Sequence, residues 1–339
     1  MKKAILIMVL LVTTLSLVLI LASFRMVQTE ESQNSVEYEG VSVDLPDTAE
    51  YITDLKTMPD GTIHVIAGSP REKDIICYMS QDRGKTWVEL ERYCSKLPLK
   101  IQESDYVEGY GYLAEDGSVG IYMGITSNMT RQEVQEDASD LDMVNYNFIV
   151  QPDGSVVSIE NETIKKQTCY KMYFSGDSCY LEDIQGNLYE VDRAKGSWKG
   201  IASHYDTVDL LNGKILSNED YLYGVDSKKI VTVKKENDQD SMQTAVFQKL
   251  QNHIQSDSFE KQYVIAFNED LTVVYYGDKQ GIWKISKNGE LCCISGKELR
   301  HVIGKGDLRN MIVQDDGSII LAISTMSGES SIVRYQQVQ

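Results

Sequence analysis

Histidine is scarce in this chain. His64, His204, His253 and His301 are the only four among 339 residues, and they stand far apart. No H-E-x-x-H or H-x-H brings two of them to one ion, so each reads as a solvated or structural histidine and no zinc site is supported. Cysteine is nearly as sparse. The six residues Cys77, Cys94, Cys169, Cys179, Cys292 and Cys293 are too few and too scattered for a disulfide framework. Without C-x-x-C there is neither a redox motif nor a zinc knuckle. Export would permit pairs such as Cys77 with Cys94 or Cys169 with Cys179, but buried free thiols are the expectation for most. A Walker loop, a G-x-S-x-G elbow and a dinucleotide fingerprint are all missing, and no cofactor is expected. Positive charge is short as well: 33 Lys and Arg against 51 Asp and Glu leave a net charge of −18. So acidic a body repels phosphate backbones, which excludes nucleic acid as a partner. The acidic residues from Glu133 to Asp142 and the pair Asp238/Asp240 lack the EF-hand order of ligands and read as solvated charge, not calcium sites.

Long apolar runs are absent, with one exception. Ala4 to Phe24 is uncharged over 21 residues, against about 7–15 for a signal-peptide core and about 20 for a spanning helix. A small-residue cleavage pair is missing, since Ala22 follows Ile20 and Ser23 follows Leu21 at two positions' distance. Phe24 stands where a lipoprotein cysteine would be. Lys2 and Lys3 before the run and Glu30 and Glu31 after it favour an N-terminus inside and a body outside. The expectation is an uncleaved signal anchor over 1–27, a polar stalk over 28–36 and an extracellular body on a single-pass membrane protein. Cleavage near Ala22 or Ser23, with secretion, is the competing outcome.

The body repeats one idea, a β-rich run, a turn, and three more runs. Tyrosine outnumbers phenylalanine 20 to 6, which suits half-exposed strands with one apolar and one wet end to each ring. The first unit reads Ile52–Thr57, Thr62–Ala67, Ile75–Ser80 and Trp87–Glu91, with Pro59-Asp60-Gly61 as a hairpin turn. The second starts near Val107, turns at Asp116-Gly117 and resumes at Val144–Val150, with Asp153-Gly154 closing its outer hairpin. The third holds Cys169–Phe174, Ser178–Leu181, Asn187–Val191 and Trp198–Ile201. The fourth holds Lys214–Ser217, Tyr221–Val225 and Lys229–Val233. The fifth has Tyr263–Phe267, Leu271–Tyr276, Gly281–Ile285 and Leu291–Ile294. The last unit, Asn310–Val313, Ser318–Ile323 and Ser331–Tyr335, lacks a strand that Val41–Leu45 can supply. The sequence therefore predicts an all-β propeller over 37–339, closed by both termini. It counts six four-stranded blades, or seven if Val144–Glu160 heads its own. Residues 127–142 read as a loop or short helix. Residues 242–255 place Val246, Phe247, Leu250 and Ile254 at helical spacing.

One octapeptide is more specific. Ser80-Gln-Asp-Arg-Gly-Lys-Thr-Trp87 resembles the Asp box (BNR-type repeat) of β-propellers in every defining position. Ser80, Asp82 and Thr86 offer short polar side chains to unpaired turn amides, Gly84 accepts a positive φ, and Trp87 brings a large ring to bury. The resemblance implies a structural role for these five residues, and no catalytic one. Asp-box propellers include sialidases, which need an arginine cluster and a Phe/Tyr-Arg-Ile-Pro motif. This chain has nine arginines, with Phe24-Arg25-Met26 the nearest match, so the fold carries no sialidase expectation.

The segment 207–339 resembles the N-terminal propeller module of large surface solute-binding proteins of Firmicutes. Lys214-Ile-Leu-Ser-Asn-Glu-Asp-Tyr-Leu-Tyr-Gly-Val-Asp226, the helix near Phe247–Ile254, Gly281-Ile-Trp-Lys284, Met311-Ile-Val-Gln-Asp-Asp-Gly-Ser318 and Ile332-Val-Arg-Tyr335 carry the likeness. It implies a non-catalytic surface module, an accessory to solute uptake. The expected function is binding of a protein or glycan on one propeller face. The alternative is an extracellular glycan-acting hydrolase whose two carboxylates the sequence does not mark.

Overall fold

A computed structural model describes residues 38–46, 48–127, 143–159, 171–175, 178–183, 187–202, 307–324 and 330–337, and the strands between 216 and 295. The all-β expectation holds: the described residues form antiparallel sheets, with one 3-10 turn at Cys94–Lys96 and no α-helix. The helix expected over 242–255 and the Ala4–Phe24 run lie outside the described residues, as do 128–142.

Among the described residues six sheets follow one another along the chain. The strand β1 (Tyr38–Asp44) stands apart from its sequence neighbours. Next come β2 (Tyr51–Thr57), β3 (Ile63–Ser69), β4 (Asp74–Ser80) and β5 (Val88–Arg92) as one meander. Sheet β6–β9 holds β6 (Tyr106–Leu113), β7 (Val119–Thr126), β8 (Val144–Val150) and β9 (Val156–Ser158). Sheet β10–β13 holds β10 (Lys171–Ser175), β11 (Ser178–Glu182), β12 (Leu188–Val191) and β13 (Trp198–Ala202). Three strands follow, β14 (Leu216–Ser217), β15 (Tyr221–Asp226) and β16 (Lys229–Lys234). Sheet β17–β20 has β17 (Tyr263–Phe267), β18 (Val274–Asp278), β19 (Gly281–Ile285) and β20 (Leu291–Ser295). The last three strands are β21 (Asp307–Val313), β22 (Ile319–Ser324) and β23 (Ser330–Gln337), and β1 pairs with β23 from Tyr38↔Gln337 to Asp44↔Ser331. The first and last described strands thus share a sheet. The segment from Val144 does not head a sheet of its own, because β8 pairs with β7 from Val119↔Val150 to Ile125↔Val144.

First strands lie against first strands: β17 beside β21, β21 beside β2, β2 beside β6, and β6 beside β10. Apolar layers fill the spaces between successive sheets. Ile312, Ile320 and Ile332 of the last sheet meet Ile52, Ile63 and Tyr78 of the β2–β5 sheet. Ile66, Ile75 and Cys77 meet Val107, Ile121 and Phe148 in the next layer. Tyr112 and Ile149 meet Met172, Cys179 and Leu181 in the one after. Sheets stacked face to face about a common line of inner strands are the architecture of a β-propeller.

That architecture leaves the inner edge of each first strand without a sheet neighbour. Side chains of β2 fill this edge for β6. The Tyr51 hydroxyl donates to Gly109 O at 2.6 Å and accepts from Gly109 N at 3.1 Å. Thr53 Oγ1 treats Gly111 the same way, at 2.8 and 3.1 Å. Leu113 N donates to Asp54 Oδ2 at 2.8 Å. Three successive edge positions are thereby satisfied, each of which would otherwise cost about 1–3 kcal/mol if buried unpaired.

Every connection reverses direction, so two faces arise. The hairpin face carries the turns between first and second strands and between third and fourth. Turns at Asp60-Gly61, Asp116-Gly117, Asp153-Gly154 and Asp316-Gly317 are one device: glycine φ is between 78 and 85°, and the aspartate accepts the amide two residues on. The opposite, entry face is where the chain enters each first strand.

The Cys77–Cys94 pair does not form, since both are free thiols. Cys77 faces an apolar layer, where burial pushes its thiol up to about 12, while Cys94 Sγ lies 3.8 Å from Met123 Sδ. Cys179 is likewise free and buried, and Cys169 lies outside the described residues.

Candidate functional site

The Asp box is the β4–β5 turn on the hairpin face. Asp82 Oδ1 accepts from Ser80 Oγ at 2.8 Å, Lys85 N at 3.0 Å and Thr86 N at 2.8 Å, and its Oδ2 accepts from Thr86 Oγ1 at 2.7 Å. Gly84 N donates to Ser80 Oγ at 2.7 Å, and Gly84 takes φ 80°. Trp87 packs on the layer shared with the last sheet. Arg83 reaches across to form an ion pair with Asp316.

A second turn repeats this device, and motif spacing alone did not reveal it. Asp192-Arg-Ala-Lys-Gly-Ser-Trp198 is the Asp82–Trp87 pattern with one residue inserted. It occupies the same place between third and fourth strands. Asp192 Oδ1 accepts from Ala194 N and Lys195 N at 3.0 and 3.2 Å, and Arg193 pairs with Asp116 of the preceding sheet. Arginine after the aspartate is the shared signal. In both cases it ties an outer turn to the Asp-Gly turn of the sheet before it.

The hydrogen bonds around Asp82, the Thr86 hydroxyl foremost, lower its carboxyl to about 2. A carboxyl whose pKa falls on folding stabilises above its unfolded value of about 3.9 and loses that contribution as the pH drops through the folded value. Wild-type protein should therefore lose stability between about pH 4 and pH 2 more steeply than Asp82→Asn. Thermal melts at stepped pH check this, and parallel curves for the two proteins would contradict it. The same variant at pH 7 should cost about 1 kcal/mol, because the turn is exposed and water replaces part of what is lost.

Towards the entry face a different cluster forms. Period two puts Tyr106, Glu108, Tyr110, Tyr122, Thr126, Asn145 and Asn147 on one side of the β6–β9 sheet. It is the side turned to β10–β13, since Tyr112 on it packs against Met172 and Leu181. Tyr51 joins from β2: its ring centroid is 5.6 Å from that of Tyr110, which lies 5.8 Å from Tyr122. The three rings form a tilted file. Tyr110 donates to Glu108, and Tyr122 donates to Asn145 Oδ1 at 2.7 Å. Burial, with the Glu108 carboxylate adding to it, holds the Tyr51 and Tyr110 phenols well above their ordinary range, so both serve as neutral hydroxyls.

Asn147 is the exception within this cluster. It is 2% exposed, and neither its amide nitrogen nor its amide oxygen has a hydrogen-bond partner. Thr126, 3% exposed, has an unpartnered hydroxyl on the same side. Buried polar groups are nearly always paired, so each one left over calls for a partner such as an ordered water, an ion or a ligand.

An open cavity of about 440 Å³ lies on the same entry face, lined by Arg71, Lys73, Asp74, Cys94, Leu99 and Gln102 among others. Lys73 takes φ 53° and donates to the carbonyls of Gln102 (3.0 Å) and Glu103. Glu72 and Asp74, which line the cavity, both face Arg92. Among the described residues no group of three or more His, Cys, Asp or Glu could hold a metal ion.

No family model and no curated protein matches the chain. Among solved structures, the chain is similar to a catalytically inactive virginiamycin B lyase from Staphylococcus aureus with quinupristin, at 11% identity and TM-score 0.47, covering 89% of this chain and 100% of the other. YCF48 bound to D1 peptide matches at 11% identity and TM-score 0.47, covering 90% of this chain and 96% of that one. The soluble aldose sugar dehydrogenase of Escherichia coli matches at 10% and 0.45, covering 88% and 100%. A lyase, a peptide complex and a dehydrogenase have different functions, and at such identity no residue role is carried over. The fold stands on the strand pairing above.

Proposed function

We propose that this protein is a non-catalytic binding propeller, held at the cell surface by Ala4–Phe24 and recognising a protein or glycan ligand on its entry face. The observation that carries this reading is the Asn147 amide, buried with both donor and acceptor unspent beside the file Tyr51–Tyr110–Tyr122. A carboxamide offers N–H donors and a carbonyl acceptor side by side, which suits a peptide bond or a sugar hydroxyl pair. Tyrosine rings add area with little entropy to lose. A few convergent polar groups beside aromatic walls are the usual make-up of a ligand site. A role in solute uptake, as accessory to a transporter, is part of this reading.

Asn147→Leu tests it. Removing a polar group that has no partner should leave the melting temperature unchanged or raise it. On peptide and glycan arrays, the wild-type protein should capture a ligand set that the variant loses by about tenfold or more. Equal capture by both proteins would end the reading. For the anchor, N-terminal sequencing of membrane-fraction protein should find Met1–Lys3 intact, whereas a soluble product starting near Phe24 would show cleavage.

A glycan-hydrolase reading draws on Glu50 and Glu108, both close enough to Tyr51 to raise its pKa. Glu50 is committed to Ser69 Oγ and Arg71 N at 3.3 and 2.9 Å, which weighs against a free catalytic carboxylate.

A further inference from the structure

Arg334 is a buried cation without a counter-ion among the described residues. It is 7% exposed, its Nε has no hydrogen-bond partner, and no carboxylate among the described residues pairs with it. The strand register says where it points. Arg334 lies across from Ile320 on β22 and from Val41 on β1. Ile320 and Ile332 belong to the layer between the last sheet and β2–β5. Side chains two apart on a strand share a face, so Arg334 enters that layer too. Trp87 of the Asp box packs on the same layer, and its Nε1 is also buried without a partner. Gly84 brings the box down on Ile320: a Cβ there would lie 3.0 Å from Ile320 Cδ1 and 3.7 Å from Trp87 Cζ2.

Among the described residues, the carboxylates near this layer are already engaged. Arg92 forks Glu89 at 2.7 and 2.9 Å, Arg83 holds Asp316, and Asp82 is spent on its own turn. A guanidinium taken out of water without a partner costs several kcal/mol. What remains is two unpartnered donors on one apolar layer, with Ile320 and the 56%-exposed Val41 across from Arg334 in register. An acceptor-only group on an apolar body complements that set. A planar carboxylate can take two parallel bonds from a guanidinium, with an indole N–H as a third donor.

We propose that Arg334 and Trp87 form a slot on the hairpin face for a carboxylate carried on an apolar body. It lies on the opposite face from the Asn147 cluster and is independent of that reading. A peptide C-terminus that ends in an apolar residue supplies such a group.

The test uses the full chain in detergent with Trp198→Phe and Trp283→Phe, which leaves Trp87 as the sole tryptophan. N-acetyl-leucine should change Trp87 emission saturably, and N-acetyl-leucinamide should not. Glucuronate, whose body is polar, should respond more weakly than N-acetyl-leucine, and the reverse order would overturn the proposal. Arg334→Met should weaken the response by about tenfold or more while keeping or raising the melting temperature, because it removes an unpaired buried charge. A structural arginine would behave oppositely. An unchanged response in Arg334→Met, an equal response to the amide, or no saturable response would overturn the proposal. If the double tryptophan variant does not fold, the thermal shift of unmodified protein by N-acetyl-leucine, set against that by the amide, replaces the emission signal. A shift by the acid alone then supports the slot, and equal shifts or none overturn it.

Discussion

Deleting Ser330–Gln339 should abolish cooperative folding. The strand β23 is the one between two others, pairing with β22 from Ile319↔Tyr335 to Ser324↔Ser330 and with β1 along its whole length. Its loss strands β1 and uncovers β22, whose six residues are all buried. Ile332, Val333 and Tyr335, each 0% exposed, leave two separate apolar layers at once. At about 1.5–3 kcal/mol per large apolar side chain, these three alone approach the 5–15 kcal/mol that separates a folded domain from its unfolded chain. The deletion also opens a sheet edge, which invites aggregation. Circular dichroism melts and size-exclusion chromatography would check this. A soluble truncation with one sharp transition at the wild-type temperature would show that the β1–β23 pairing contributes little.

The second large effect is expected at Asp54. This half-buried carboxylate accepts from Leu55 N at 2.8 Å, from Leu113 N at 2.8 Å and from Asn310 Nδ2 at 2.9 Å. It therefore joins three successive sheets at their inner strands. Asn310 holds the matching place on β21: both follow a register shift, and Asn310 Oδ1 accepts from Met311 N as Asp54 does from Leu55 N. Asp54→Ala leaves three donors unpaired, for a cost of about 3 kcal/mol or more. A fall in melting temperature on the order of 10 °C should follow. Asp54→Asn keeps one acceptor oxygen and should lose less. A change below about 2 °C in the alanine variant would mean that water already satisfies these donors.

The candidate site was less legible than the fold, and the residues say why. Asp-Gly turns and alternating runs are local: Asp116-Gly117-Ser118 makes its turn by bonding within five residues, so its position is readable along the chain. The degenerate box at Asp192–Trp198 was readable too, but its one-residue insertion broke the motif spacing. Asn147 and Arg334 carry no such mark. Each sits in an ordinary strand pattern, and what sets it apart is a missing partner, which depends on everything packed around it. Cys77 and Cys94 both pack on the layer with Val107 and Ile121 yet stay free thiols, which their spacing along the chain does not reveal.

By itself, then, the sequence determined the all-β class, the unit boundaries and the chemistry of the turns. Alternation, glycine at positive φ and aspartate beside an open amide act over a few residues and need no tertiary context. Only the tertiary structure decided which edge each first strand presents and what fills it. Tyr51, Thr53 and Asp54 serve Gly109, Gly111 and Leu113 some 58 residues away. Only it left Asn147, Thr126, Trp87 and Arg334 with buried polar atoms unpaired, because satisfaction of a hydrogen-bonding group is a property of its neighbours in space and not of its own side chain.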